Sequence, residues 1–484
     1  MNSCFKRIGA ALCAAALAFG LAACGGTQAA PGANTAAAQP VRITVWNYYN
    51  GDQLECFNKL VEEFNATVGK EQNITVTSES QGSVNDLETN VLAAAEGKVG
   101  AAALPNIFSA YADTCYAVDQ MGLLADLSGY LTEEEKAAYL DSYLTEGDFQ
   151  DDGSIKIFPV AKSTEILCLN ETDWEPFAAA TGASCDDLST MEGLVATAQK
   201  YYEWTDAQTA APDDGKALFG RDAMANYLLI GAKELGENIF DVQQGMMTVE
   251  LSEQTARKLW DNYYVPFVKG WFAAIGRFRS DDIKTGNILC YVGSSSSATF
   301  FPKQVMTSDT ESHDIRMKAL PCPTFADGSS VSVQQGAGMA VTNGSEAEVE
   351  ASVAFLKWMT QPEQNIRFAV GSGYLPVTHA ANDMEAIEAS GLEMTDAVRD
   401  ILTIATDEVK NNELYTPKAF AGGTAARKVL ELDLSDKAAA DRATVEQRIA
   451  AGESATDAQA EFLTDEAFAA WYQGLLGQLK AYEG

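Results

Sequence analysis

The chain has 484 residues and a formal net charge of −35, with 68 acidic side chains against 33 basic ones. Such acidity excludes nucleic acid and anionic membrane as main partners, because both are held through basic patches. The length is large for one core and suggests two lobes.

The first element is a leader. Lys6 and Arg7 precede sixteen uncharged residues, Ile8 to Ala23, rich in Ala and Leu. A membrane span needs about 20 apolar residues, so this run is too short and reads as a secretory signal, residues 1–23. It ends Leu21-Ala22-Ala23-Cys24-Gly25, which resembles the lipobox of bacterial lipoproteins. That resemblance implies cleavage before Cys24 and a diacylglycerol on its thiol. The protein would then be exported and anchored by lipid to the outer face of the cytoplasmic membrane. Residues 25–40 carry Gly, Ala, Thr, Gln, Pro and Asn without charge. That composition cannot bury a core, so 24–40 is expected to be a lipidated cysteine on a flexible linker.

Beyond the linker, Ile43-Thr44-Val45-Trp46 alternates like a strand. A helix follows with Leu54, Phe57, Val61 and Phe64 on one face. Ile74-Thr75-Val76 predicts a second strand, and Asp86 a cap for a helix through Leu87, Val91, Leu92 and Ala95. Pro105-Asn106-Ile107-Phe108 opens a third strand. Alternating strands and helices predict an α/β fold with a parallel sheet. Thr132 with Glu135, and Ser345 with Glu348, have capping-box spacing. The second box opens a helix expected to bury Ala351, Ala354, Phe355, Trp358 and Met359. After Phe158-Pro159-Val160 the pattern turns helical at 188–204, 223–235 and 252–264. Asn287 to Val292 predicts a strand ending at Gly293 and a serine run. Residues 433–452 are charged and Ala-rich, which predicts helix and turn on a solvated surface. No later segment is apolar enough to span a membrane.

Nine cysteines occur. Cys4 and Cys13 leave with the signal and Cys24 would be lipidated. Of the remaining six, Cys168 and Cys290 sit in strand-like runs, which suits buried free thiols. None forms a C-x-x-C pair, so no structural zinc is expected.

Several segments, taken in order, resemble family 1 of the bacterial extracellular solute-binding proteins. They are Ile43–Trp46 with its tyrosines and the helix ending Glu63-Phe64-Asn65, then Pro105-Asn106-Ile107, then Gly122-Leu123-Leu124-Ala125-Asp126-Leu127. Lys162-Ser163-Thr164-Glu165-Ile166-Leu167 with Leu169-Asn170 comes next. Gly336-Ala337-Gly338-Met339-Ala340-Val341 and Phe355-Leu356-Lys357-Trp358-Met359 follow, and Gly373-Tyr374-Leu375-Pro376-Val377 comes last. The resemblance covers 41 to 480 and is nearest to the sugar and glycerol-3-phosphate binders. It implies a two-lobed periplasmic-binding-protein-like α/β fold (type II), with a ligand cleft between lobes joined by hinge strands. Lobe 1 would comprise 41–160 and 321–371, and lobe 2 would comprise 161–320 and 372–484. It also implies a monomer that takes a small-molecule ligand and docks on the permease subunits of an ABC importer.

Closure around a ligand buries polar groups, and each needs a partner. Sugars suit aromatic faces, with hydroxyls bonding outward. Tyr48 and Tyr49 follow the first strand, and Asn47 shares their turn. Tyr111 and Asp113 follow the third strand, where Asp113 is either a hydroxyl acceptor or a helix N-cap. Ser163, Thr164 and Glu165 lie at the implied lobe crossing, and Gly336 at its return. Gly293-Ser294-Ser295-Ser296-Ser297 offers hydroxyls and N–H groups to an oxygen-rich ligand. Tyr374 is placed at the hinge and cleft mouth. Arg221, Arg277 and Arg279 are fork-shaped donors for a carboxylate or phosphate. Trp204 and Trp271 are expected in the core. Glycerol-3-phosphate binders carry a late arginine–leucine–glycine segment. Here Phe420-Ala421-Gly422-Gly423 stands in its place, so Arg221, Arg279 or Arg427 would have to substitute.

Only His313 and His379 are present, neither within a nucleophile or metal motif, and no H-E-x-x-H, P-loop or EF-hand pattern occurs. No catalytic residue, metal or cofactor is expected. A polyol-phosphate binder is the alternative, and a carbohydrate-active hydrolase is the rival from another class.

Overall fold

A computed structural model describes residues 40–243, 245–308 and 310–484. The signal segment, Cys24 and the linker up to residue 39 lie outside the described residues. Residues 40–484 form one compact unit. Among the described residues no helix is long and apolar enough to cross a membrane.

Eight strands build two four-stranded sheets. They are β1 (Val41–Asn47), β2 (Ile74–Ser80), β3 (Ile107–Ala110), β4 (Glu165–Asn170), β5 (Phe219–Arg221), β6 (Cys290–Ser294), β7 (Met317–Pro321) and β8 (Gly338–Val341). The first sheet has the order β8-β3-β1-β2, and the second β7-β4-β6-β5. In the first, β1 runs parallel to β2 and β3, from Val41 opposite Ile74 to Asn47 opposite Ser80. β8 is antiparallel to β3. In the second, β4 is antiparallel to both β6 and β7, while β5 is parallel to β6. The α/β expectation holds, but the sheets are mixed and not purely parallel. β8 returns to the first sheet only after the chain has built the second, so it enters from the opposite end.

Helix Gly51–Ala66 buries Phe57, Leu60, Val61 and Phe64, with Leu54 half-buried at the edge of that face. Helix Val84–Ala95 is capped by Ser83, not Asp86. The Asp86 N–H donates to Ser83 Oγ at 3.2 Å, and the Asp86 carboxylate accepts from the same hydroxyl at 2.6 Å. Asp86 thus belongs to the first turn, where a carboxylate favours the helix dipole. Both capping boxes are present, at Thr132/Glu135 and Ser345/Glu348. The second opens Glu346–Met359, which buries Ala351, Phe355, Trp358 and Met359, with Ala354 only half-buried. The stretch expected to be helix and turn at 433–452 belongs to one long helix, Gly423–Ala450. Its Leu430, Leu434, Ala438 and Val445 are fully buried in the core against the second sheet, so only part of its surface is solvated.

Three chain segments run side by side between the sheets. Ser163 bridges to Gln335, and Lys162 bridges to Leu375. Gly336, at φ +89°, lets its backbone lie against Ala161 and Lys162, where a Cβ would meet the Ala161 carbonyl at 2.9 Å. The Lys162 ammonium is buried here, paired with the Glu146 carboxylate and donating to the Gly336 carbonyl at 2.9 Å. All six cysteines of the described residues are free, Cys115, Cys168 and Cys290 among them deeply buried.

Candidate functional site

The C-terminal end of β1 delivers its polar residues to the crossing segments. Asn47 is fully buried. Its side-chain amide donates to Ser78 Oγ at 3.0 Å and accepts from the Tyr49 N–H at 3.1 Å. It shapes the turn, and both ends of its amide are already used. Tyr49 packs among Phe57, Phe368 and Tyr374, with ring centroids 5.2, 5.2 and 6.0 Å away. Tyr48 reaches the crossing itself. Its hydroxyl lies 3.0 Å from the Tyr374 hydroxyl and accepts from the Ala337 N–H at 3.4 Å. Burial, then the Tyr374 hydroxyl beside it, raises the Tyr48 phenol well above its ordinary range. Tyr48 is therefore a neutral hydrogen-bonding group.

Tyr374 follows Gly373, whose left-handed backbone (φ +72°) sits against the serine loop. A Cβ on Gly373 would meet Thr299 Cγ2 at 2.7 Å and Ser296 Cα at 3.2 Å. In that loop the Ser294 and Ser296 hydroxyls are 3.0 Å apart. The Ser295 N–H donates to the Thr164 carbonyl at 2.8 Å. The Thr164 and Ser295 hydroxyls are buried and have no hydrogen-bond partner. Ser163 is buried too and exchanges backbone hydrogen bonds with Gln335 at 2.9 and 3.1 Å.

Glu165 is buried in an ion pair with Arg221 and accepts from Asn226 Nδ2 at 2.9 Å. The same amide nitrogen reaches Gln335 Oε1 at 3.0 Å, and Arg427 donates to Asn226 Oδ1. Arg221 is thus neutralised inside the fold. Arg279 is equally committed, paired with Asp282 and donating to the Gly276 carbonyl at 2.5 Å. Arg277 is exposed, its guanidinium 5.1 Å from the Phe278 ring centroid. Arg427 differs: it is half-buried and makes no ion pair among the described residues. Its charge acts on Tyr111 and Asp113. Burial pushes the Asp113 carboxyl up to about 6, with Arg427 opposing and Glu88 adding. Asp113 lies against Gly423 in the first turn of helix Gly423–Ala450. It is not the N-cap of its own helix, Ala112–Gln120, a position held by Tyr111.

Beside this seam opens a cavity of about 1000 Å³. Asn50 contributes from beyond β1. Asp222, Tyr291, Ser297, Phe278, Phe300 and Lys284 are among the residues that enclose it from the other side. Of the residues singled out from the sequence only Ser297, the last of the serine run, lines it, and Asn50 and Asp222 are chain neighbours of Tyr49 and Arg221. Phe278 and Phe300 are 53% and 56% exposed, unusual for that residue type. Phe278 stands in the polar run Gly276-Arg277-Phe278-Arg279, where an isolated aromatic was the available signal.

A family model for bacterial extracellular solute-binding proteins matches residues 59–395. The chain belongs to that family. Its solved structural relatives agree in fold. The cyclic α-maltosyl-1,6-maltose binding protein of Arthrobacter globiformis has 18% identity and a TM-score of 0.65, over 91% of this chain and 100% of the other. UgpB of Mycobacterium tuberculosis, solved with glycerophosphocholine, gives 18% and 0.65 over 92% and 99%. The GacH receptor of Streptomyces glaucescens, solved with acarbose, gives 17% and 0.63 over 92% and 100%. No curated protein sequence matches the chain. These likenesses establish the two-lobed solute-binding fold expected from the sequence motifs. In this solute-binding protein, the ends of β1, β3, β4 and β6 all converge on the crossing segments. That convergence gathers Tyr48, Thr164, Ser294, Ser295 and Tyr374, while Asn47, Arg221 and Arg279 serve the fold around them.

Proposed function

We propose that this extracellular solute-binding protein captures a carbohydrate reversibly between two lobes and presents it to the permease of an ABC importer. The lobes are 41–160 with 321–371, and 161–320 with 372–484. Cys24 carries the lipid that holds the protein at the outer face of the cytoplasmic membrane, and residues 25–40 form the tether. The observation that carries the reading is the pair of buried, unpartnered hydroxyls of Thr164 and Ser295 at the seam. A buried hydroxyl without a partner costs about 1–3 kcal/mol, which a ligand hydroxyl recovers once opening of the lobes admits it. Tyr48, Tyr374, Ser294 and Tyr111 stand around them as neutral donors and acceptors. Two of the structural relatives were solved with, or named for, oligosaccharide ligands. The unpaired Arg427 beside Tyr111, and the likeness to a glycerophosphocholine complex, favour a polyol phosphate as the second reading.

Thermal shift of the mature chain tests both readings. At a ligand concentration of about 100 times Kd, binding stabilises by about 2.7 kcal/mol. A rise in Tm with neutral glycans is expected. Stabilisation by glycerol-3-phosphate or glycerophosphocholine alone moves the conclusion to the second reading. Stabilisation by peptides alone rejects both. Cys24→Ser is expected to release the protein from membranes, and continued partition into the membrane fraction rejects the anchor.

A further inference from the structure

The cavity beside the seam has a chemistry of its own. Its volume, about 1000 Å³, stands at the upper end of pockets that enclose a drug-sized ligand. One pyranose would leave most of it empty. Its wall carries three carboxylates, Asp222, Asp281 and Asp314, against two ammoniums, Lys284 and Lys303, and no arginine. The helix that opens onto it, Arg279–Lys284, offers no seat for an anion either. The Phe278 N–H already donates to Asp281 at 3.2 Å and the Arg279 N–H to Asp222 at 2.9 Å. Phosphates and uronates therefore find repulsion and occupied donors. Meanwhile the Phe278 and Phe300 rings are more than half exposed at the cavity wall, with the Arg277 guanidinium 5.1 Å from the Phe278 centroid, and Tyr291 also lines the cavity, stacked on Phe301 at 6.2 Å and 12°. The Tyr291 hydroxyl is buried, with the Cys168 thiol and the Asp222 carboxylate near it. Exposed rings beside carboxylates and amide side chains suit a neutral sugar chain. The C–H faces of a sugar pack on aromatic rings, and its equatorial hydroxyls bond in the ring plane.

We infer that this cavity is an extension subsite for a neutral oligosaccharide of three or more pyranose units, with Phe278 and Phe300 as its stacking platforms. This rests on the carbohydrate reading above and makes it narrower: the ligand is a chain of sugars, not a monosaccharide or a polyol phosphate. Asn50, from the other side of the cavity, would then read the glycan through its side-chain amide.

The test is calorimetric titration of the mature chain with glucose and xylose, and with α-1,4-glucan, β-1,4-glucan and β-1,4-xylan oligomers of two to six units. Within the series that binds, affinity is expected to rise at least about tenfold from the disaccharide to the tetrasaccharide. Phe278→Ala and Phe300→Ala are each expected to weaken the tetrasaccharide by about tenfold while leaving the disaccharide within about twofold. Both rings are exposed, so these variants should keep the parent Tm, which a melting curve verifies. If a sugar binds with no dependence on length, or the Phe variants bind the tetrasaccharide normally, this inference falls while the carbohydrate reading stands. If only glycerophosphocholine or glycerol-3-phosphate binds, or no glycan does, both fall.

Discussion

Glu165 and Arg221 show what a single residue contributes. The sequence marked each as a ligand group, yet the structure spends them on each other. Their meeting is set by register: β6 places Ser294 opposite Glu165 and Val292 opposite Arg221, so the two ends lie together although 56 residues separate them in the chain. No local spacing encodes that. By contrast, Arg279 meets Asp282 three residues on within the short helix Arg279–Lys284, a pairing that local spacing does permit. Polar type and approximate place were therefore legible here, but pairing was not. Both Glu165 and Arg221 are buried, so removing the carboxylate strands a desolvated guanidinium. Glu165→Ala is expected to cost about 3–5 kcal/mol in urea denaturation, with the m-value unchanged. Glu55→Ala, which breaks an exposed pair with Lys59, should leave the midpoint where it was. Equal effects from the two variants would show that the buried pair is solvated after all.

At the scale of elements, legibility follows how local the signal is. The capping boxes at Thr132 and Ser345 were readable because both partners lie within one turn. The first strand was readable from alternation, and the second and third from short apolar runs. Strand direction was not, since β8 takes its antiparallel place through contacts with β3 from a distant part of the chain. The stretch 433–452 reads as solvated surface because, within Gly423–Ala450, its buried residues there are only Leu434, Ala438 and Val445 among many charged neighbours. The crossing segments offer the sharpest test of an element. Gly336 combines φ +89° with backbone atoms of Ala161, Lys162 and Ser163 at 2.9, 2.9 and 3.0 Å from where a Cβ would stand. Neither the angle nor the contacts can relax cheaply. Gly336→Ala is expected to destabilise by about 2 kcal/mol or more and to weaken ligand binding, as the crossing segments separate. Gly474 is the counterpart. It lies exposed inside helix Asp465–Leu479 with nothing within 4 Å of an added Cβ. Gly474→Ala should stabilise by roughly 0.5–1 kcal/mol with binding unchanged. Thermal and chemical melts of the two variants, opposite in sign, would separate conformational strain from a general cost of mutation.

For the molecule as a whole, motif order along the chain conveyed the two-sheet architecture, whereas the cavity escaped notice because its walls come from turns and loops without periodicity. Two further buried groups were equally invisible, and they govern how the whole fold responds to pH. Glu234 and Glu408 are carboxyls raised to about 8, in both cases by burial first. Glu234 accepts from the Phe325 N–H at 2.9 Å and Glu408 from the Cys322 N–H at 2.7 Å, so together they hold the segment that follows β7. An unfolded glutamate titrates near 4.3. Between about 4.3 and 8 the native state therefore binds protons that the unfolded state has released. Stability is fully present below that window and falls as pH rises through it. In the opposite direction, Asp126, Glu135 and Glu348 are held below the ordinary carboxylate range by hydrogen bonds or a lysine partner. Their contribution is lost as pH falls through their native values. The melting temperature should thus peak near pH 5 and decline toward pH 8.5. General self-repulsion of a chain carrying −35 has the same sign, but it is screened by salt, whereas a buried carboxyl is not. In about 1 M salt, where the Debye length is near 3 Å, the decline should persist in the parent protein. Glu408→Gln and Glu234→Gln, which keep an acceptor without a titratable proton, should each flatten it and raise Tm at pH 8.5. A profile that salt alone renders flat would assign the effect to net charge and remove these two carboxyls from the account.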